Sequence, residues 1–195
     1  IGFVLLCAAF VFVMTPGLAM FYGGLVRKKN VVNTMMTSIF IIGVGIVMWV
    51  LFGYSLSFAP SGNAFIGDFR WLGLEGVSLT EGYTDDASIP NMVFSAFQMM
   101  FAVITPALIT GAVAGRMKFK SIFVFTIFWS LIVYYPLAHM VWGQGGLLGA
   151  DGIGALDFAG GDVVHISSGV SALVLCILLG LSLIHISEPT RLRRI

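Results

Sequence analysis

Five apolar runs, each long enough to cross a bilayer, dominate this chain: about 1–26, 31–58, 89–115, 121–138 and 161–180. A hydrocarbon core about 30 Å thick needs about 20 largely apolar residues per helical crossing. In lipid every backbone N–H and C=O must be satisfied by protein, so runs of this length have to fold as helices. Hydrophobic residues make up 58% of the chain and charged residues 10%, against roughly a quarter charged in a soluble domain. The expected fold class is an all-α polytopic membrane protein.

The breaks between runs are short and chemically distinct. The first run is interrupted by Thr15-Pro16-Gly17 and stops at Arg27-Lys28-Lys29-Asn30; the second closes at Pro60-Ser61-Gly62. A polar loop over 59–88 holds Asp68, Glu75, Glu81, Asp85 and Asp86 against one base, Arg70. The third run contains Pro90 near its start and Pro106 within it, and is followed by Arg116, Lys118 and Lys120. The fourth is aromatic-rich and is expected to end at Tyr134-Tyr135-Pro136, with a glycine-rich loop from His139 to Gly154 leading to the fifth. Internal prolines kink helices and are tolerated in membranes against neighbouring helices.

Before residue 181, six of the seven Lys and Arg lie in the loops after runs one and three, and the acidic loop lies on the other side. The positive-inside rule then places Arg27 and Arg116 in the cytoplasm, and the start of the chain and the loops carrying Asp85 and Trp142 outside. A net charge of +1 with few, short basic loops gives no reason to expect nucleic acid. Cys7 and Cys176 sit in apolar runs as small core residues, without a disulfide or metal pattern. No cofactor motif and no hydrolytic or redox constellation is present, so an enzyme is not expected. No cleavable signal peptide is visible, and the abrupt apolar start suggests a missing amino-terminal piece.

Two ionisable groups, Asp157 and His165, enter the fifth run, which carries no charge from Ile166 to Gly180. An ionisable residue inside a membrane span is costly and marks a functional path by default. Gly161, His165, Gly169, Ala172 and Cys176, with Ser168 alongside, recur at three and four residues. This stripe of small side chains is expected to face protein, turning His165 inward and the bulky Val163, Val164, Val170, Leu173, Val174 and Ile177 toward lipid or other helices. On spacing alone, a hydrogen-bonded core histidine and a pathway histidine remain equally open.

Four motifs carry a more specific signal: Thr15-Pro-Gly-Leu-Ala-Met-Phe-Tyr-Gly-Gly-Leu-Val-Arg27, Phe97-Gln-Met-Met-Phe101-Ala-Val-Ile-Thr105, His139-Met-Val-Trp142-Gly143 and Leu156-Asp157-Phe-Ala-Gly-Gly-Asp-Val-Val-His165. In this order they resemble the ammonium transporter family (Amt/Mep/Rh), its Amt branch in particular, over about 1–180. The resemblance implies a trimeric, channel-like transporter with eleven spans per subunit, built from two inverted five-helix repeats, each subunit with its own pore. This chain looks like the first repeat.

Carried over by that resemblance, Phe101 looks like a member of the phenyl gate below the outer vestibule, and Trp142 like the aromatic wall of the ammonium recruitment site. Asp157 looks like the carboxylate that supports the site, and His165 like the first of two pore-lining histidines. Each has a plainer alternative. Trp142 is also compatible with an interfacial belt, Phe101 with an aromatic packing stripe through Phe94 and Phe97, and Asp157 with a helix cap. His139 and the other phenylalanines read as structural.

These roles imply recruitment of ammonium at Trp142, loss of a proton near Phe101 and passage of ammonia along an apolar pore past His165. Potassium has no proton to lose. Gly115 stands where the family often has glutamate, and Asp162 where a small hydroxyl residue is usual. The second histidine, the partner gate phenylalanine and the site serine would belong to a second repeat, and His185 is too close in sequence to stand in for them. Residues 181–195 read as the translation of a sequencing adapter and are set aside from the fold.

The favoured function is therefore ammonium or ammonia transport by a parent protein of which this half alone conducts nothing. The alternative is an ammonium-sensing domain of a larger signalling protein. A short cytoplasmic tail able to meet a PII-type signal protein would favour the first, an appended kinase or cyclase the second. An unrelated inverted-repeat transporter would require the four motifs to be coincidental.

Overall fold

The computed structural model describes residues 1–60, 62–84, 86–150 and 152–180. Asp85 and the 181–195 segment, with its adapter reading and His185, lie outside the described residues. Five helices are long and apolar enough to cross a membrane: α1 (Gly2–Leu25), α2 (Lys28–Phe58), α3 (Asn91–Val113), α4 (Phe119–Trp142) and α5 (Gly161–Leu179). No strand is among the named elements of the described residues. The chain is an all-α, multi-pass membrane protein.

α3 sits at the centre. It packs against α1, α2 and α5, and polar groups fasten the crossings. Tyr22 of α1 donates to the Leu108 carbonyl at 2.9 Å, Ser38 of α2 and Thr110 share a hydrogen bond of 3.2 Å, and the Trp49 indole donates to the Ser95 carbonyl at 3.2 Å. On α4, Trp129 donates to Ser171 of α5 at 2.8 Å. In an apolar surround such groups have no water to turn to, so each bond fixes one helix on another.

Small residues set how closely the helices approach. A Cβ on Gly111 of α3 would lie 2.4 Å from the Tyr22 ring, and one on Gly45 of α2 would lie 3.0 Å from a Val103 methyl. At one end of the bundle, Arg116 donates to the Gly180 carbonyl at 2.7 Å and to the Cys176 sulfur at 2.9 Å, tying the ends of α3 and α5 together. At the other end the core is aromatic: Trp49, Tyr54, Phe58, Tyr134 and Tyr135 are all buried.

Three helices contain a wider π-helical stretch: Trp49–Gly53, Ser130–Tyr134 and Gly161–Ile166. The second corrects the expected end of the fourth span at Ala138. It finishes just before Pro136, which falls in the first turn of the α-helical piece Tyr135–Trp142. Proline is tolerated there because its missing N–H interrupts no regular ladder. The helix therefore runs on to Trp142, and His139 and Trp142 are helical residues, with the loop starting at Gly143.

Candidate functional site

The site lies where the carboxyl end of α4 meets the two long loops, 59–90 and 143–160. His139 stitches this end together. Its ring is 1% exposed, with Nδ1 3.1 Å from the Ser57 carbonyl and Nε2 2.9 Å from the Asn63 carbonyl. The Leu147 N–H donates to Ala64 at 2.9 Å, and Gln144 bonds Tyr83 twice, from its backbone N–H to the phenol oxygen and from Nε2 to the carbonyl, both at 3.1 Å. Gly146 lets the loop fold back this closely, since a Cβ there would stand 2.3 Å from the His139 carbonyl oxygen.

Aromatic rings then lead inward from the loop. Tyr83 stacks on Phe94 with ring centres 4.9 Å apart. Further along α3, Phe97 meets Phe101 edge-on at 5.0 Å, and Phe101 meets Trp142 edge-on at 6.3 Å and 67°. Such tilted arrangements are those aromatic quadrupoles favour. Trp142 and Phe101 are each half-buried, so each keeps ring surface in reach of a small solute. One turn before Phe101, the Gln98 Oε1 is buried without a partner among the described residues.

The first turn of α5 is built on Asp157. Its Oδ1 accepts from the Gly161 N–H at 2.7 Å, and its Oδ2 from the Asp162 and Val163 N–H groups at 3.0 Å each. Three donors that begin a helix without intrahelical partners are thereby satisfied by one carboxylate. Gly160 supplies the left-handed turn (φ +77°) that brings Asp157 over them. The Gly160 carbonyl accepts from the Val164 and His165 N–H groups at 3.0 and 2.9 Å and lies 2.9 Å from His165 Nδ1. A carbonyl oxygen only accepts, so Nδ1 is the donor, and Nε2 of a neutral ring is left with its lone pair.

The expected inward face of α5 is only partly right. Val163, Val164, Ser167 and Ser168 are buried, whereas His165, Gly169 and Val170 are exposed. His165 thus looks out of the described bundle, not into it, while Val163 and Val164 are buried against other helices, one of the two surroundings expected for them. Gly161, His165 and Gly169 do share one face of α5, as their spacing predicts, and that face is open among the described residues. Ala172 and Cys176 stay half-buried toward α3.

Phe101 and Trp142 are therefore in ring contact, and Asp157 and His165 are joined through the Gly160 turn. The two pairs are neighbours by helix packing, since the first turn of α5 lies against both α3 and α4. Sequence reasoning read His139 as structural but missed its partners Ser57 and Asn63, the Tyr83–Gln144 clamp and the buried acceptor of Gln98. A histidine and a glutamine in apolar helices were the available signals. Among the described residues no group of three or more His, Cys, Asp or Glu is placed to hold a metal ion.

The model of the Ammonium Transporter Family matches residues 2–191. An ammonium transporter of Bacillus subtilis is 54% identical over 178 residues, covering 91% of this chain and 43% of the relative. One from Aquifex aeolicus is 45% identical over 174 residues, covering 89% and 40%. Among solved structures, Mep2 of Candida albicans superposes with a TM-score of 0.81 at 34% identity, over 91% of this chain and 38% of Mep2. A structure described as a sensor Amt protein gives 0.78 at 27% identity, over 91% and 43%. The chain spans about two fifths of the length of these relatives.

Proposed function

The chain belongs to the ammonium transporter family, and from that premise we propose that it supplies the outer recruitment site and one wall of a conduit for ammonium and ammonia. The observation that supports this most is the ring contact between Trp142 and Phe101. An indole face holds a small cation with about 0.5–2 kcal/mol when water is partly displaced. The neighbouring phenyl edges offer nothing to replace the lost hydration. Moving an amine-type cation from water into such an apolar passage disfavours its charged form by roughly 4–7 kcal/mol, so it sheds its proton and continues as ammonia. Potassium meets the same barrier with no proton to release.

Asp157 and His165 take complementary parts. The carboxylate, held by three N–H groups, fixes the mouth of α5 and keeps a negative charge near an arriving cation. His165, donating from Nδ1 to Gly160, presents Nε2 to accept a hydrogen bond from ammonia or to carry a proton. The exposed strip of Gly161, His165, Gly169 and Val170 is the face a second five-helix repeat would cover, completing the pore with a second histidine. Trimeric assembly of the parent, contact with a PII-type signal protein at the basic face, and a plasma or inner membrane location with the chain start outside complete the reading.

A second reading is favoured by the likeness to the sensor Amt protein: the same site would recruit ammonium for signalling, with an appended kinase or cyclase as output. Flux decides between them. Reconstituted in liposomes, the complete parent is expected to produce an ammonium-dependent internal pH change, and the 195-residue chain alone none. Unchanged uptake and potassium discrimination in a parent carrying Trp142→Ala, Phe101→Ala and His165→Ala together would end the transport mechanism described above.

A further inference from the structure

The indole of Trp142 stands in the last turn of α4, and the chain leaves that helix through Gly143, Gln144, Gly145 and Gly146. All but Gln144 are glycines, Gly145 with a left-handed φ of +73°, so the exit segment has little stiffness of its own. Gln144 carries the one side chain in it. It binds Tyr83 by two hydrogen bonds of 3.1 Å each, from its backbone N–H to the phenol oxygen and from Nε2 to the carbonyl. Tyr83 is itself held on three sides. Its ring stacks on Phe94 at 4.9 Å and 9°, meets Phe58 edge-on at 5.5 Å and lies 6.5 Å from Trp71.

Phe94 and Phe101 lie about two turns apart on one face of α3. The links therefore close a circuit: Trp142 to Gln144 along the chain, Gln144 to Tyr83, Tyr83 to Phe94, and Phe94 down α3 to Phe101, whose ring returns to Trp142 at 6.3 Å. In a closed circuit of packed groups no member shifts alone. We propose that Tyr83 and Gln144 are positioning residues of the recruitment site, their clamp fixing where the Trp142 indole stands beside Phe101 and so setting the affinity for the arriving cation. They act through Trp142 and not on the cation itself. A cation–π contact needs the cation over the ring face within about 6 Å of its centre, so a small displacement of the indole is felt in binding before it is felt in passage. This role presupposes that Trp142 recruits ammonium, as proposed above.

Ammonium uptake by the complete parent tests this through the split between KM and kcat. Tyr83→Phe keeps the stack on Phe94 and removes only the phenol oxygen that accepts from Gln144; Gln144→Met keeps the length of the side chain and removes the Nε2 donor. Each deletes one hydrogen bond while leaving the aromatic cluster and the backbone in place. Each is expected to raise the apparent KM roughly 2- to 10-fold with kcat kept, the value of one such bond. In a Trp142→Leu background neither should raise KM further, because residues that act through one group are not additive. An unchanged KM in both variants, a fall in kcat in place of the rise in KM, or an equal rise with and without the Trp142 indole overturns the positioning role. Trp142→Leu without any effect of its own on KM would instead remove the recruitment reading, and the clamp's role with it.

Discussion

Phe101 on α3 and Trp142 at the end of α4 meet edge-to-face with ring centres 6.3 Å apart, although 41 positions separate them in the sequence (142 − 101). The contact exists only because α4 extends past Pro136 to carry the indole over α3. If Trp142 recruits a cation, Trp142→Leu in the complete parent should raise the apparent KM for ammonium roughly 2- to 30-fold, the value of a cation–π contact. Phe101→Ala should instead reduce discrimination against potassium. Uptake measured with and without potassium competition separates the two; identical changes in both variants would contradict the division of roles.

Asp157 holds three N–H groups of α5 at once. Asp157→Ala should destabilise that turn by about 0.5–2 kcal/mol, seen as faster hydrogen exchange at Gly161–Val163 of the purified chain. Asp157→Asn, retaining one acceptor oxygen, should recover part of the protection. Unaltered exchange in both would mean that the turn is held by packing alone.

The two helical histidines should behave oppositely. His139→Ala removes the ring whose single N–H donates to the Ser57 or the Asn63 carbonyl, and loss of that bond costs about 1–3 kcal/mol. Its thermal unfolding midpoint should fall clearly. His165, exposed and bonded only within its own turn, should tolerate alanine within about 1 kcal/mol in the isolated chain. In the complete parent the same His165→Ala should impair flux.

Gly111 and Gly17 give a packing test. Gly111→Ala drives a methyl toward the Tyr22 ring, itself anchored to Leu108, and should cost about 1–3 kcal/mol through overpacking. Gly17→Ala meets nothing within 4 Å and should be neutral or stabilising by up to ~1 kcal/mol. Comparable unfolding curves for the two would show that α1 is free to shift on α3.

Much of the architecture could be read directly from the residues. Apolar run length located five helices, and Arg27, Lys28, Lys29, Arg116, Lys118 and Lys120 marked the two loops at one end. Asp157 was legible as a helix cap because a carboxylate four residues before an apolar run has few other local partners. The exposure of His165 was not legible, because spacing groups Gly161, His165 and Gly169 on one face of a helix but does not say what packs against that face. Nor was the extent of α4, since Tyr134-Tyr135-Pro136 reads as a stop unless the preceding turn is already widened.

The residues alone determined that this chain must lie in a membrane as helices, where its charges collect and which side chains are chemically unusual, because those properties depend on neighbours a few positions away. Tertiary packing decided which histidine is locked in the interior and which faces out, and whether a phenyl ring on one helix touches an indole on another. These depend on helix rotation and on loop closures across tens of residues, such as Asn63 with His139 and Tyr83 with Gln144. Nothing local in the sequence encodes such a distance; it is set when close-packed helices settle into the mutual rotation that pairs most of their buried polar groups.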